Sequence, residues 1–285
     1  MKLRKSSLVL LVCLCLLACS GEPSKPAALP YAAAKENLST LDYDAALKNL
    51  EKTIKAAADE PDGKEAAIIR IALLTAMAQS GRDMAEAYGT GITQPAARTQ
   101  TGAFTRFRSD YLGISRVYLM NSMEAVLAQR AKLTDAALPL NAAFPDFSGS
   151  EPSAMEKIRH GMAVQDSDRV RTELENSRNY LARLMAALAG ASDDVHKGHA
   201  AFQKGGVRLD SRVYLLELSA AFYKLREIFE AKALDDSRYL RTTIEVVQGN
   251  LDALDKLLAA RPDKDLQARA KKLRADCDAA LKKIK

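Results

Sequence analysis

The chain has 285 residues, 27% of them charged and 48% apolar, with 14 Gly, 9 Pro and no Trp. That balance excludes a disordered tail, a collagen-like fibre and a polytopic membrane protein, and it suffices for one large domain or two modest ones. Alanine alone supplies 49 residues. Together with Leu, Lys, Arg, Glu and Asp it gives a composition whose side chains lose little freedom in helices or cap their ends. Sustained strand alternation is hard to find, so the expected fold class is all-α.

Lys2, Arg4 and Lys5 precede an unbroken apolar run at residues 8–18. As a helix that run would span roughly 16 Å, about half the hydrocarbon thickness of a bilayer. It is therefore read as a signal-peptide core and not as a membrane span. The run ends in Leu16-Leu17-Ala18-Cys19, followed by Ser20-Gly21. This tetrad resembles the lipobox of bacterial lipoproteins, in which an aliphatic, a tolerant and a small residue precede the cysteine that becomes the new first residue. The resemblance implies a diacylglycerol on Cys19, cleavage before it, and acylation (palmitate) of the new amine, since two or three chains anchor stably where one holds weakly. In lipoproteins of enteric type, absence of Asp after the cysteine directs the protein to the outer membrane, and Ser20 fits that rule. The implied address is the periplasmic face of the outer membrane, with the inner membrane as the alternative.

Cysteine and charge counts follow from this reading. Cys13 and Cys15 leave with the signal at residues 1–18 and Cys19 carries lipid, so Cys277 is left alone and no intramolecular disulfide forms. Cys277 falls in a helical pattern and reads as a packed residue. Removing Lys2, Arg4 and Lys5 takes Lys+Arg from 42 to 39 against 36 acids, a mature net charge of +3. Nucleic acid is not an expected partner.

Residues 19–30 form the lipidated cysteine and a tether holding Pro23, Pro26 and Pro30. Helical regions are expected at 31–133 and 152–285, separated by a loop at 134–151. In the first, helices are read at 31–39, then from Asp42 to about 59, then 63–79, with a short helix at 82–88 after a cap at Gly81. A long segment follows from 104 to about 132. In the second, Pro152-Ser153 opens a helix to about 160, Ser167 caps the next up to Gly190, and Ser192 starts a shorter one stopping at Gly205-Gly206. Asp210 caps a helix to about 232, Asp235 or Asp236 one to about 260, and Asp263 the last. Short connections make sequential helices pack as antiparallel hairpins.

Within residues 41–54, Leu41, Tyr43, Ala46, Leu50 and Ile54 lie where the second helix of a tetratricopeptide repeat places a turn, an aromatic, a small residue and alternating bulky positions. The segment resembles that family over residues 31–90, as one fair copy and one degenerate copy. Leu41 stands for the usual turn glycine and Thr53 for a later alanine. The resemblance implies stacked helical hairpins that offer a surface to other proteins, continued by an array or bundle.

Catalytic patterns are weak. Asp193, His196 and His199 fall within one turn of each other, but two histidines beside Lys197 and Gly198 match a zinc site poorly. His160 reads as a helix-end residue. Gly89-Thr90-Gly91 lacks the lysine and strand-to-helix switch of a phosphate loop. No nucleophile elbow or triad is visible, so no metal, no cofactor and no enzymatic role is expected. Phe104, Phe107, Tyr111, Ile114 and Tyr118 form a stripe of core type. Arg106, Arg108 and Arg116 lie off it, either solvated or lining a recognition groove, as Arg and aromatic anchors do at interfaces. In the loop, Phe144 and Phe147 either plug the core or meet a partner. The candidate interaction surface is Arg106, Arg108, Tyr111, Arg116, Phe144 and Phe147. The expected function is a lipid-anchored, non-catalytic scaffold for another envelope protein or peptide; the alternative is a solute-binding component of an envelope transport system.

Overall fold

A computed structural model describes residues 28–134, 138–147, 151–192, 194–204, 206–230 and 237–284. The signal segment, Cys19 and the proline tether before Ala28 lie outside the described residues, as do Asp193, Gly205, Asp235 and Asp236. Helices build most of the described core: α1 (Ala28–Ser39), α2 (Tyr43–Ala57), α3 (Pro61–Ile92) and α4 (Thr101–Arg130), then α5 (Ser153–Arg159), α6 (Asp166–Ala186) and α7 (Val195–Gln203). The last group is α8 (Ser211–Leu225), α9 (Glu227–Glu230), α10 (Ser237–Ala260) and α11 (Lys264–Lys283). The fold class read from composition is the one observed.

α3 is the axis of the molecule. Ile68, Ile69, Ile71, Leu73, Leu74 and Ala78 are buried on successive sides, so the helix is apolar nearly all round and must be surrounded. α2 covers one side with Ala46 and Leu50, and α4, α5, α6 and α8 close the others. Each fully buried Leu or Ile side chain stabilises the fold by about 1.5–3 kcal/mol. One apolar cluster runs from Tyr31 to Cys277, so both helical regions share a single core.

The cap expected at Gly81 is not there: Pro61–Ile92 is one helix of 32 residues with Gly81 buried inside it. The glycine serves close approach instead. A Cβ at this position would lie 3.2 Å from Ser115 Cβ and 3.3 Å from the Tyr111 carbonyl oxygen, so the missing methyl sets how near α4 comes. Thr75 meets Ser122, Gly81 meets Ser115 and Tyr88 meets Phe104, so α4 runs opposite to α3. Tyr88 packs edge-on to Phe104 at 5.0 Å and stacks on Tyr111 at 6.0 Å.

Three aspartate caps stand where the sequence puts them. Asp42 accepts from the Ala45 N–H, Asp210 from Arg212, and Asp263 from both Asp265 and Leu266. Two serine caps do not hold. Ser167 lies inside the first turn of α6, whose helix already starts at Asp166. Ser192 has a φ of 51° outside any helix, and α7 is capped by Asp194, which accepts from the Lys197 N–H at 3.0 Å. Between them α6 widens into a π turn, Ala187–Ala191, and breaks at Gly190, where φ is 79°. α8 stops at Leu225, short of the expected end, and α9 follows.

One element has no counterpart in the sequence reading. Strands β1 (Leu138–Leu140) and β2 (Val207–Leu209) pair antiparallel with Leu138 opposite Leu209 and Leu140 opposite Val207. This three-residue ribbon pins the loop onto α3, where the buried Glu65 carboxylate accepts from the Asn141 N–H. No helix of the described residues is long and apolar enough to cross a membrane.

Candidate functional site

A groove of about 670 Å³ runs between α3, α6, the start of α7 and α8. Its origin is local. Ala76, Ala187, Ala220 and Ala221 line it, and small side chains leave open a channel that leucines would have filled by interdigitation. The volume falls in the range of ligand sites.

Aromatic and charged groups crowd one edge. Arg183 is exposed, with its guanidinium 5.7 Å from the Phe147 ring and 5.5 Å from the Tyr180 ring. His196 meets the edge of Phe147 at 6.5 Å. Two carboxylates of the lining are already engaged. Asp194 caps α7, and the Lys197 N–H holds its carboxyl below the usual range. Glu217 pairs with Arg269 at 2.6 Å. Among the described residues, Arg183 and Lys224 have no carboxylate partner, so the groove carries uncompensated positive charge.

Beneath that edge lies a polar knot. The Asp83 carboxylate accepts from Gln79 Nε2 at 3.0 Å, from Arg82 Nη2 at 3.0 Å and from the Tyr180 hydroxyl. Burial, then the charge of Asp83, pushes the Tyr180 phenol up, so it donates as a neutral group. These bonds fix the tilt of α6 against α3.

The six residues singled out as an interaction surface are dispersed. Phe147 borders the groove. Phe144 packs on Phe202 at 5.2 Å and on His199 at 5.5 Å, closing a separate cavity. Arg108 lines a smaller recess with Arg82 and Glu227, and Arg106 lies exposed beside Phe107. Tyr111 is a correction: it is 2% exposed and takes a bond from Arg169 at 3.5 Å, so it offers no surface. Arg116 is half-buried, its guanidinium 5.0 Å from Tyr239 and 5.5 Å from Phe229. Ile114, expected in the core stripe, is 38% exposed.

Arg183, Lys224, Ala220 and Ala221 were not singled out. No linear signal joins them, because they sit on α6 and α8 and meet Phe147 only through the fold. The remaining candidates keep a structural place. His160 ends α5, Gly89-Thr90-Gly91 lie in the last turn of α3, and His199 faces Gln203 at 3.2 Å. Among the described residues no three His, Cys, Asp or Glu side chains gather as a metal site.

Comparison with protein-family models, with curated proteins and with solved structures finds no significant match to this chain, so the reading of its function rests on the groove and the sequence alone.

Proposed function

We propose that this chain is a lipid-anchored scaffold of the bacterial envelope that holds an acidic, apolar-bearing segment of another protein in the groove between α3, α6 and α8. The anchor is the lipid on Cys19, and the face is the periplasmic side of the outer membrane. The observation that carries the reading is the pair of rim cations without counter-ions, Arg183 and Lys224, above a floor of alanines. Carboxylates of the partner would meet those cations, its apolar side chains would lie on Ala76 and Ala220, and Phe147 would close over it. An open recess of this kind suits a chain segment better than an enclosed solute. The role is non-catalytic, and the tetratricopeptide-like hairpin of α1 and α2 against α3 is the part of the scaffold that backs the groove.

The test is site-specific photo-cross-linking in intact cells. A benzophenone side chain at position 147 is expected to capture an envelope protein, and the double change Arg183→Glu and Lys224→Glu to abolish the adduct. Capture at position 117, on the far side of α4, is the control. Equal adducts at both positions, or adducts indifferent to charge reversal, would sink the proposal. For the anchor, Cys19→Ala is expected to move the protein from membranes to the soluble fraction.

A further inference from the structure

α11 sends its two kinds of cation in different directions. Its arginines reach across to α8 and α10: Arg269 pairs with Glu217 at 2.6 Å, and Arg274 with Asp252 at 2.8 Å and Asp255 at 2.7 Å. The buried side of the helix, Leu266, Ala270, Leu273 and Cys277, rests on the same two helices. At 3.6 residues per turn the opposite side carries Lys264, Lys271, Lys272 and Lys282, with Ala268, Ala275 and Ala279 between them, and all of these are exposed. That outer arc holds lysine and alanine and nothing else. Asp265, Asp276 and Asp278 flank it, and Asp278 is already taken by Gln248 Nε2 at 2.9 Å. Among the described residues none of the four lysines forms an ion pair, whereas both arginines of the helix do.

Helix stability accounts for one of the four. Lys282 stands in the last turn, where the negative end of the dipole favours a cation. Lys264 stands in the first turn, where the dipole opposes it, and Lys271 and Lys272 lie side by side in the middle. The row therefore lacks its counter-charge within the chain. Its chemistry says what kind of counter-charge fits. Interfaces between proteins are depleted in lysine and anchored by aromatic residues and arginine, and this face has neither. An ammonium on a flexible stem is a mobile point charge, without the rigid fork that selects one carboxylate geometry. The alanines offer nothing to insert and no pocket to fill. Such a face, about 30 Å long by the helix rise, matches a broad and laterally mobile layer of negative charge, which anionic lipid headgroups present.

We infer that the outer face of α11 docks on an anionic phospholipid surface, the helix lying in the plane of the headgroups with Lys264, Lys271, Lys272 and Lys282 against their phosphates. The contact needs neither the groove nor the lipid on Cys19. Each lysine brought to such a surface strengthens binding about fivefold. Salt weakens the contact, because the screening length falls from about 8 Å at physiological ionic strength to about 3 Å at 1 M. No large apolar side chain enters the bilayer, so the docking is reversible.

Acetylation of the full chain with uncharged N-hydroxysuccinimide acetate, read lysine by lysine by peptide mass, tests this. It is run with vesicles of phosphatidylcholine alone and of phosphatidylcholine mixed with phosphatidylglycerol. The mixed vesicles are expected to slow acetylation of Lys264, Lys271, Lys272 and Lys282 about fivefold or more, and to leave the exposed Lys48 and Lys52 of α2 unchanged. Phosphatidylcholine alone, into which the apolar run at 8–18 inserts equally, is expected to protect none of them. Salt at about 1 M is expected to abolish the protection. The double change Lys264→Gln and Lys282→Gln, at exposed positions, is expected to reduce the protection of Lys271 and Lys272 about twofold or more, with circular dichroism showing that the variant folds. Protection by phosphatidylcholine alone, equal protection of Lys48 and Lys52, survival in high salt, or indifference to the double change overturns the inference. Polyglutamate that shields the same lysines as well as the mixed vesicles do, at equal charge, overturns the lipid surface as occupant.

Discussion

Thr75 and Ser122 face each other across the contact of α3 and α4 with their hydroxyl oxygens 2.8 Å apart, both fully inside the protein. Ser115 adds a bond from its hydroxyl to the Ala78 carbonyl, and Gly81 leaves room for it one turn on. A seam of small residues thus brings two long helices closer than leucines would allow, with each polar atom satisfied by its neighbour.

That seam fixes the outcome at two glycines of opposite character. Gly81→Leu forces a side chain against Ser115 and the Tyr111 carbonyl and is expected to destabilise the protein by about 1–3 kcal/mol. Gly113, inside α4, has open space where a Cβ would go. Gly113→Ala is expected to stabilise by about 0.5–1 kcal/mol, because alanine loses less chain entropy in a helix. Urea unfolding of the two variants measures both signs.

Asp83 gathers Gln79, Arg82 and Tyr180 on one carboxylate. Asp83→Ala leaves Arg82 with only the Glu227 contact at 3.5 Å and is expected to cost about 2–3 kcal/mol. Tyr180→Phe removes one of those bonds and is expected to cost about 1 kcal/mol. Thermal unfolding ranks them, and near-equal losses would show that the tyrosine carries most of the knot.

Asp210 binds acid dependence to the start of α8. Its carboxyl is held below the usual range first by the Arg212 side chain and then by the Arg212 N–H and the charges of Arg212 and Arg261, against a burial that works the other way. Because the folded pKa is lower than the unfolded one, about 3.9, the stabilisation is fully present above that value and is lost as pH falls through the folded pKa. Asp210→Asn is therefore expected to be less stable than the parent at pH 7, by about 1–2 kcal/mol for a weakened cap and a lost ion pair. The gap should close in strong acid. Denaturant curves across that window read it directly, and a gap independent of pH would remove the charge from the account.

Cys277 is completely buried in α11, and burial pushes its thiol up to about 11. The thiolate is the reactive form, so native protein is expected to alkylate at this position far more slowly than unfolded protein at pH 8. Peptide mapping after iodoacetamide treatment, with and without urea, gives the ratio. Fast native labelling would mean that α11 opens locally from α8 and α10.

Residues whose signal is local were legible in the sequence. Asp42, Asp210 and Asp263 begin helices because a short acceptor side chain satisfies free N–H groups a few residues away. The apolar face of α2 at Ala46 and Leu50 follows from a 3.6-residue period. Gly81 was misread because a helix end and a tight crossing both ask for a missing Cβ, and only the partner Ser115 distinguishes them. Ser167 and Ser192 failed for a related reason: Asp166 and Asp194 stand nearby and begin the helices earlier or later. The ribbon of Leu138–Leu140 and Val207–Leu209 is too short to show a period. Of the candidate surface, Phe147 borders the groove; Arg183 carries no signal in the sequence, since 36 positions of chain separate two side chains that share one edge of it.

α6 is a wall common to two rooms. Arg178, Leu181 and Met185 face the enclosed cavity, while Tyr180, Arg183 and Leu184 face the open groove. A rigid cylinder cannot be rolled for the benefit of one tenant alone. A substitution that repacks Leu181 or Met185 on one side therefore also re-aims Tyr180 and Arg183 on the other.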